Sequence, residues 1–399
     1  MRILIVNEAL SGGGGVETYL ATIVPALQSA GHQVGVLHDN PSTEAGPQRI
    51  APEGTWRTGV RDEGLDAALA RVRDFAPDVC FSHNMRTLSV EARLMSEWPL
   101  VKMMHGHFGT CVSGQKAFAF PGVAACTRTF GPGCLAYYLP RRCGRTNPFV
   151  MAREYRWGSE QRSFFARYRA IVVASRFMRD EYLRAGVAPG GVHAIPLFAP
   201  PHRIEAAVED DARPIDIVFV GRMTSLKGPD LLLEAAQHAS ARLGRTLTVV
   251  FAGEGPERER LREQAASHGL AARFPGWVTP RERDQLLRQA AIIAVPSRWP
   301  EPFGLVGLEG AVFGTPAVAF DAGGIADWLV DGVNGRLIDP ARGPAGFGDA
   351  IADILENPVL RRQLAAGARA ASRRLSLENH IGGLLPVLER AAAPVAAAS

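Results

Sequence analysis

The sequence predicts an α/β protein made of two doubly wound parallel sheets, each covered by helices on both faces. Short runs rich in Ile and Val alternate with longer segments of helical apolar spacing, which is typical of such sheets. The alternation stops between residues 196 and 214 and then starts again. The 399 residues also exceed the roughly 250–300 residues at which a single core stops growing. We therefore expect two domains facing each other across a cleft, with a helical C-terminal tail.

The first half of the chain alternates between strand and helix patterns. The predicted strands are residues 2–7, 33–37, 78–82, 100–104, 170–174 and 192–195. The predicted helices are residues 16–30, 65–75 and 176–185. Four prolines and an acidic run then indicate an interdomain linker. We place the first domain at 1–200 and the linker at 201–214.

The second half repeats the pattern. Its predicted strands are residues 216–220, 247–251, 292–295 and 317–320, and its predicted helices are 228–239, 256–268, 281–290 and 304–313. From residue 351 onward the chain is rich in Ala, Leu and Arg and helical in pattern. We place the second domain at 215–374 and expect residues 375–399 to form a helix that packs back on the first domain.

Composition excludes several classes of protein. Hydrophobic residues make up 47% and charged residues 21%, which is typical of globular proteins and excludes a disordered, collagen-like or coiled-coil chain. A net charge of +4 gives no reason to expect nucleic acid as a partner. There is no membrane-spanning apolar run and no signal peptide, and the five cysteines are an odd number. We expect a cytoplasmic protein.

A glycine-rich turn follows the first predicted strand. Residues 12–15 are four successive glycines ahead of a helix, so the backbone can approach a ligand closely and helix amides favour an anion. A flexible turn fits the pattern as well as a ligand loop does. The loop departs from the spacing G-x-G-x-x-G, yet His38 and Asp39 follow the second strand, so NAD binding stays open.

Two cations leave the carboxyl end of a predicted strand in the second domain. Arg222 and Lys227 lie in the segment GRMTSLKG, residues 221–228. Doubly wound domains bind ligands beyond the carboxyl ends of their strands, where two cations can neutralise a diphosphate. Taken alone, two solvated loop cations fit equally well.

Two glutamates flank the start of a predicted helix. Glu301 lies in the loop before it, and Glu309 lies inside it. The free amides around Phe303, Gly304 and Leu305 form an anion site at the helix N-terminus. Carboxylates on either side suit the hydroxyl groups that flank a phosphate in a nucleotide sugar. Either glutamate alone fits a capped helix with exposed acids better.

Together these motifs resemble the large retaining glycosyltransferase family 4, whose GT-B architecture has two Rossmann-like domains. The matching segments are the glycine loop 12–16, Gly221-Arg222 with Lys227-Gly228, GEGP at 253–256, Glu301-x7-Glu309, Thr315-Pro316, Gly323-Gly324 and DGVNG at 331–335. They occur in the expected order along nearly the whole chain, and the second domain matches more closely than the first.

The resemblance implies a donor site in the second domain. Arg222 and Lys227 bind the donor diphosphate and stabilise it as it leaves. Glu301 holds hydroxyl groups of the donor sugar, and Glu309 holds the ribose. The remaining implied donor contacts are the backbone of Phe303, Gly304 and Leu305, and Val278 beside Trp277, which faces the base.

The resemblance also implies contacts from the first domain. Gly14 and Gly15 lie near the diphosphate and the acceptor. A histidine commonly follows the strand at 100–104 and lies near the transferred sugar, which corresponds to His105. The family often has an acid after that histidine, whereas this chain has Gly106 and then His107. His107 is therefore the alternative, and we favour His105.

Charge development indicates the mechanism. Breaking a glycosidic phosphate bond places negative charge on the leaving diphosphate, which fixed cations and a helix N-terminus stabilise. The sequence has no D-x-D motif for a divalent metal, so we expect metal-independent chemistry. The resemblance implies retention of configuration by front-face substitution, with the leaving phosphate helping to deprotonate the acceptor and no protein nucleophile.

The sequence thus predicts an enzyme of glycan assembly. It is expected to move a hexose from a nucleotide-diphosphate sugar, a UDP- or GDP-sugar, to a glycan, lipid-linked or small-molecule acceptor. The alternatives are an NAD-dependent dehydrogenase, a GT-B sugar-nucleotide epimerase and a non-catalytic nucleotide-sugar-binding protein. The dehydrogenase does not account for Arg222, Lys227 and the two glutamates together.

Four cysteines fall within one segment of the first domain, namely Cys111, Cys126, Cys134 and Cys143. Their spacing, C-x14-C-x7-C-x8-C, lacks the close pair that zinc sites usually contain. Unrelated or partly buried thiols fit this spacing better than a structural metal site, which remains the alternative.

The same region is strongly basic. Residues 101–170 contain eleven Lys and Arg residues but two acidic residues, interleaved with aromatic side chains. Such a surface suits anionic lipid headgroups or an acidic, lipid-linked acceptor, so we expect peripheral contact with the inner face of a membrane. A solvated face around an ordinary core fits equally well.

Overall fold

The computed structural model describes residues 1–41, 48–201 and 213–394. The strands of its first half are β1 (Arg2–Asn7), β2 (Ser11–Gly12), β3 (Gln33–His38), β4 (Gln48–Arg49), β5 (Trp56–Gly59), β6 (Val79–Ser82), β7 (Leu100–Met104), β8 (Ala117–Phe118), β9 (Ala124–Ala125), β10 (Ala170–Val173) and β11 (Val192–Ala194). The helices are α1 (Gly15–Ser29), α2 (Val60–Glu63), α3 (Leu65–Phe75), α4 (Leu88–Leu94), α5 (Gly133–Tyr138), α6 (Pro148–Ser163) and α7 (Arg176–Arg184).

The second half has six strands and seven helices among the residues described. The strands are β12 (Ile215–Val220), β13 (Thr248–Ala252), β14 (Ala271–Gly276), β15 (Ala290–Val295), β16 (Ala317–Phe320) and β17 (Gly335–Ile338). The helices are α8 (Pro229–Leu243), α9 (Arg258–Ser267), α10 (Pro280–Gln289), α11 (Leu305–Ala311), α12 (Gly343–Glu356), α13 (Pro358–Arg374) and α14 (Leu377–Ala392).

Both large sheets have the strand order of a Rossmann fold. The first is ordered β5-β3-β1-β6-β7-β10-β11 and the second β14-β13-β12-β15-β16-β17, and neighbouring strands are parallel throughout. The order reverses between β1 and β6 and between β12 and β15. Ligands of doubly wound sheets bind at such switch points, beyond the carboxyl ends of the strands. The two parallel sheets predicted from the sequence are confirmed.

Alternating side chains of the central strands build a core on each face of each sheet. In β1, Ile3 and Ile5 pack under α1, whereas Leu4 and Val6 pack under α3, α4 and α7. In β12, Phe219 packs under α8, α9 and α12, and Val218 packs under α10 and α11. Successive residues of a strand point to opposite faces, so one apolar run supplies both cores.

The C-terminal helix returns to the first sheet. Residues Ile381, Leu384 and Leu388 of α14 share a core with Ile3 and Ile5 of β1. The two chain segments that pass between the halves are hydrogen-bonded to each other, since the backbone N–H of Ala199 donates to the carbonyl oxygen of Leu375 at 2.8 Å. The first half is therefore completed by residues from the far end of the chain.

Three strands of the two large sheets were not predicted from the sequence, and all three lie at sheet edges. They are β5, β14 and β17. Edge strands are covered less completely than central ones, so their sequences are more polar. In β14, for example, exposed and half-buried residues alternate before Gly276.

Helix α6 was also missed, although its start carries a clear signal. Asn147 precedes Pro148, and the Asn147 side chain accepts hydrogen bonds from Phe149 N at 2.8 Å and Val150 N at 3.3 Å. An Asn cap followed by proline at the first helical position is a common helix start. The helix itself has many Arg and aromatic residues, which obscure its apolar face.

The predicted linker at 201–214 falls mostly on residues 202–212, which lie outside the described residues. Within the described ranges, no helix is long and apolar enough to cross a lipid bilayer.

Candidate active site at the domain cleft

The loops after β12 and β13 pack directly on each other at the switch point of the second sheet. Gly221 N donates to Ala252 O at 3.0 Å, and Met223 N donates to Glu254 O at 2.8 Å. Gly253 has φ +133°, and a Cβ there would lie 2.0 Å from Gly221 O. Only glycine fits this approach, so the motif GEGP fixes the loop that carries Arg222 and Lys227.

Lys227 and Glu301 form an ion pair across the switch point. Lys227 Nζ lies 2.7 Å from Glu301 Oε1, and the Glu301 side chain is 5% exposed. Ser297 Oγ donates to the same Oε1 at 2.6 Å. The Lys227 ammonium also lies 4.7 Å from the centre of the Trp299 ring. Two residues that the sequence separates by 74 positions thus share one site.

A glycine pair supports the backbone of Glu301. Gly323 has φ +69° and bridges to Glu301, and a Cβ on it would lie 2.4 Å from Glu301 O and 2.6 Å from Glu301 N. Gly324 N donates to Glu301 O at 2.7 Å. The Gly323-Gly324 motif therefore contacts the backbone of Glu301 and fixes its position.

Glu309 lies in α11 and is paired with a cation that the sequence did not single out. Arg283 Nη1 of α10 lies 3.1 Å from Glu309 Oε1. Burial raises the pKa of the Glu309 carboxyl, and the charge of Arg283 opposes that rise. Phe303, just before α11, is buried, and its carbonyl oxygen accepts from Trp328 Nε1 at 2.7 Å.

The remaining predicted donor residues lie on accessible loops. Arg222 is exposed, Val278 is half-buried and Trp277 is 70% exposed. Gly304 takes a left-handed φ of +77° and caps α11. The contacts of the described residues do not join Arg222 or Val278 to the Lys227–Glu301 pair.

The glycine loop of the first half is exposed and open. Gly14 caps α1, and its N–H donates to Glu17 Oε2 at 3.1 Å. A Cβ on Gly15 would meet nothing within 4 Å. The loop therefore has space for a ligand beside the switch point between β1 and β6.

His105 is half-buried and lies beside a cluster of aromatic rings. His105 Nε2 lies 3.0 Å from His83 Nδ1, and the Tyr19 ring packs edge-on against His105. Burial lowers the pKa of His105 to about 3, so its imidazole is neutral at pH 7. The Tyr19 hydroxyl in turn lies 2.8 Å from Nε2 of His380 in α14.

His107 is the histidine that contacts the second half. His107 Nε2 lies 3.1 Å from the carbonyl oxygen of Pro300, the residue before Glu301. Burial lowers the pKa of His107 to about 4, so the ring is neutral and donates from Nε2. Its other ring nitrogen, Nδ1, is buried without a hydrogen-bond partner. His105 and His107 thus have different surroundings, and His107 lies next to the Glu301 loop.

Two further contacts join the halves around the same loop. Ser175 Oγ donates to Pro302 O at 2.6 Å. The backbone N–H of Arg176 donates to Asp327 Oδ2 at 2.6 Å, and its Nε donates to Oδ1 at 3.1 Å. Residues 300–302 are therefore held from both sides of the cleft.

A cavity of about 500 Å³ lies between the halves beside this junction. Its walls include residues 123–127 of the cysteine-bearing segment, Phe177 of α7, and Ser297, Pro300 and Gly323 of the second half. The cysteine-bearing segment therefore forms part of the cleft.

Sequence reasoning missed several side chains that contact predicted site residues or their surroundings, among them Ser297, Arg283 and Asp327. Ser297 closely follows the end of β15, and the ends of parallel strands are where ligand contacts are expected. Arg283 follows the capping box of Thr279 and Glu282, which marks the start of α10. No local signal identifies Asp327, because its partner Arg176 is 151 positions away.

Two family models match adjoining parts of the chain. The model described as "Glycosyltransferase Family 4" matches residues 13–203, and the one described as "Glycosyl transferases group 1" matches residues 203–371. The D-inositol 3-phosphate glycosyltransferase of Acidothermus cellulolyticus is 30% identical over 418 aligned positions, which cover 95% of this chain and 86% of the relative. The chain belongs to glycosyltransferase family 4.

Other similar proteins align over a smaller part of this family 4 chain or share less of its sequence. The D-inositol 3-phosphate glycosyltransferase of Xylanimonas cellulosilytica is 34% identical over 242 residues, which cover 56% of this chain and 57% of that relative. Among solved structures, Anabaena Alr3699/HepE in complex with UDP and glucose has a TM-score of 0.67 at 18% identity, covering 98% of this chain and 99% of that one. This likeness confirms the GT-B fold.

Proposed function

We propose that this family 4 chain transfers a sugar from a nucleotide-diphosphate sugar to an acceptor, with retention of configuration and without a catalytic metal ion. The observation that carries the proposal is the Lys227–Glu301 pair, 2.7 Å apart at the switch point where the two halves meet. Family membership supports it, as does the shared fold with Anabaena Alr3699/HepE, which was solved in complex with UDP and glucose.

Lys227 and Arg222 bind the donor diphosphate in this proposal. When the bond between the sugar and the phosphate breaks, negative charge grows on the diphosphate, and cations fixed beside it lower the barrier. Lys227 and Ser297 both contact Oε1 of Glu301, so we assign Oε2 to the hydroxyl groups of the donor sugar.

The nucleoside part of the donor binds farther along the second half. Glu309 accepts from the ribose hydroxyls, and Arg283, 3.1 Å from its Oε1, holds this carboxylate in place for that role. The backbone at Val278 faces the base, and the amides of Phe303, Gly304 and Leu305 contribute to binding the sugar and phosphate.

The first half supplies the acceptor side of the site. Gly14 and Gly15 approach the diphosphate, because no side chain occupies the space above Gly15. We assign His105 to the transferred sugar, where a neutral imidazole serves as a hydrogen-bond partner and not as a cation. Parallel kinetics of His105→Ala and His107→Ala test this choice, and a larger loss of turnover in His107→Ala would reverse it.

The sequence lacks a D-x-D motif, which supports chemistry without a catalytic metal. Retention follows from front-face substitution, in which the leaving phosphate accepts the proton of the acceptor hydroxyl. The NMR signal of the new anomeric proton tests the stereochemistry, and a product of inverted configuration would contradict the proposal.

The donor base and the acceptor are the least constrained parts of the proposal. A UDP-sugar or a GDP-sugar is the expected donor. A glycan or a lipid-linked molecule is a candidate acceptor. Because D-inositol 3-phosphate glycosyltransferases are among the relatives, a phosphorylated small molecule is a candidate as well. A thermal-shift screen of UDP-, GDP-, ADP- and dTDP-sugars identifies the base, because a ligand at about 100 times its Kd stabilises the folded state by roughly 2.7 kcal/mol.

Peripheral binding to an anionic membrane is part of the proposal. Phe149 is 84% exposed and Phe120 is 48% exposed, and both lie in the strongly basic region of the first half. Aromatic and cationic side chains together favour anionic headgroups. In sedimentation with anionic vesicles, the wild type should pellet with the vesicles and Phe149→Ser should stay in the supernatant. Val359→Ser carries its change on the second half and should pellet as the wild type does. Failure of the wild type to bind at low salt would contradict this part.

The deciding experiment compares two ion pairs of equal length. Lys227→Ala and Glu301→Ala should each reduce sugar transfer by about 10²- to 10³-fold, as expected for groups that stabilise developing charge. Arg73→Ala and Glu97→Ala break an exposed pair that is also 2.7 Å long and should leave transfer unchanged. Near-normal rates in both Lys227→Ala and Glu301→Ala would refute the assignment. Donor binding without hydrolysis or transfer in the wild type would instead indicate the alternative, a non-catalytic nucleotide-sugar-binding protein.

A further inference from the structure

Four cysteines of one segment line a small cavity. Cys111, Cys126, Cys134 and Cys143 surround about 30 Å³ together with apolar and aromatic side chains that include Phe118 and Tyr138. All four are free thiols. The fifth cysteine, Cys80, is buried in β6, in a different core.

The segment that carries these thiols has little structure of its own to hold it. Between residues 108 and 147 it contains the two-residue strands β8 and β9 and the six-residue helix α5. Ala124 and Ala125 of β9 are exposed. Segments that bury so little apolar surface commonly depend on a metal ion or a cross-link for their fold.

Two of the sulfur atoms accept hydrogen bonds from backbone N–H groups, whereas burial raises the pKa of Cys126 and Cys143. Cys111 Sγ accepts a hydrogen bond from Lys116 N at 3.3 Å, and Cys126 accepts one from the backbone of Arg128. Arg128 lines the same cavity and Arg141 lies close to Cys143, whereas the Lys116 ammonium is paired with Glu181 at 2.8 Å. Backbone N–H donors and nearby cations are the outer contacts that stabilise metal-bound thiolates.

We propose that Cys111, Cys126, Cys134 and Cys143 together bind one zinc ion, which holds the segment from residue 111 to residue 143 in place. Four thiolates around one ion are a closed structural site, so the ion supports the fold and takes no part in sugar transfer. The proposal is independent of the proposed function.

Zinc binding requires the side chains to move inward. Within the described ranges, no three His, Cys, Asp or Glu side chains lie at the spacing of metal ligands. Burial raises the pKa of Cys143 to about 11, so this thiol is protonated at pH 7 when no metal is bound. Zinc reverses this preference, because it binds thiolates and displaces their protons. The proposal therefore requires the four side chains to rotate toward the cavity that they share.

The site has a consequence for the cleft. Cys126 lies within residues 123–127, which form one wall of the 500 Å³ cavity between the halves. An ion bound to Cys126 therefore fixes a wall of the same cavity that Ser297 and Pro300 line. Removing the ion should loosen this wall while leaving both sheets folded.

The test measures zinc in the full-length protein after exposure to one equivalent of zinc and gel filtration. The wild type and Cys80→Ala should retain one zinc ion per chain. The double variant Cys126→Ser/Cys134→Ser should lose it. A wild type that retains no zinc, or a double variant that retains it, would overturn the proposal.

Two measurements on the wild type test the proposal even if the variants fail to fold. A mercurial reagent that binds thiols should release the zinc as four thiols react, and cobalt in place of zinc should give the absorption of a tetrahedral thiolate site. A thiol assay of the denatured, unreduced protein should find five reactive thiols. A count of one would show that disulfides hold the segment, which overturns the zinc site.

Discussion

At the scale of single residues, the position of Glu301 depends on a glycine, Gly323, which can be compared with Gly332. Gly323 and Gly332 have nearly the same left-handed backbone, with φ +69° and +70°. They differ in their surroundings, because a Cβ on Gly323 would lie 2.4 Å from Glu301 O, whereas a Cβ on Gly332 would meet nothing within 4 Å. Substitutions at these two glycines therefore separate the effect of backbone strain from the effect of displacing Glu301.

Gly323→Ala should lose both stability and activity, and Gly332→Ala only stability. Each variant places an alanine at positive φ, which costs about 1 kcal/mol. Gly323→Ala must also move the backbone of Glu301, so its loss should exceed that of Gly332→Ala by about 1–3 kcal/mol. Urea denaturation measures both losses, and transfer kinetics measure the displacement of Glu301. Equal stability and equal activity in the two variants would contradict the role of Gly323.

Buried histidines predict how stability depends on pH. Burial lowers the pKa of His105 to about 3 and the pKa of His107 and His380 to about 4. The unfolded chain protonates its histidines near pH 6.5. As the pH falls from 6.5 toward 4, the unfolded state binds protons that the folded state does not, so stability decreases by about 1.4 kcal/mol per pH unit for each histidine.

Replacing one of these histidines should reduce that slope. His380→Gln should lower the pH dependence between 6.5 and 4 by about one proton, measured from urea denaturation curves at several pH values. Asn379→Gln, which changes the exposed and non-titrating neighbour of His380, is the control and should keep the wild-type slope. A His380→Gln slope equal to that of the wild type would show that His380 does not contribute to the acid sensitivity.

The residues at the switch points could be predicted, but their pairings could not. Arg222, Lys227, Glu301 and Glu309 follow strand ends, and strand ends are visible in the sequence. That Lys227 meets Glu301 depends on the adjacency of β12 and β15, which the sequence separates by an entire βαβ unit. The surroundings of His105 likewise include Tyr19 and His380, which come from α1 and α14.

At the scale of helices and strands, the central elements were predicted well and the peripheral ones were not. The strands at 2–7 and 100–104 agree with β1 and β7 to the residue. A central strand is buried on both faces, so its apolar run is continuous and easily recognised. The missed strands β5, β14 and β17 lie at edges, where neighbouring elements decide what forms a strand.

Helix α14 should contribute strongly to the stability of the first half. Leu384 is fully buried in the core beneath the first sheet, whereas Leu385 on the same helix is half-buried. Leu384→Ala should cost about 2–5 kcal/mol, as large-to-small changes in a core do. Leu385→Ala should cost distinctly less. Thermal denaturation followed by circular dichroism measures both, and equal losses would show that α14 does not pack as described.

At the scale of the whole molecule, the two halves meet at the loop that carries Glu301. Contacts from His107, Ser175 and Arg176 all reach the second half near residues 300–302 or Asp327. Any movement of one half relative to the other therefore acts on the position of Glu301. This arrangement couples the opening of the cleft to the assembly of the proposed donor site.

Asp327 offers the most direct test of that coupling, because it receives two hydrogen bonds from Arg176 and its side chain is 10% exposed. Hydrogen bonds to charged groups contribute about 1.5–3 kcal/mol, so Asp327→Ala should shift the ligand-free protein toward an open cleft. Small-angle X-ray scattering should then report a larger radius of gyration than in the wild type.

The control is Asp331→Ala, which removes a partner of Arg336 within the second half and should leave the scattering unchanged. Addition of the donor should restore a compact form of Asp327→Ala at a higher concentration than the wild type needs, because part of the binding free energy is used to close the cleft. Identical scattering from Asp327→Ala and the wild type would show that the other contacts alone hold the halves together.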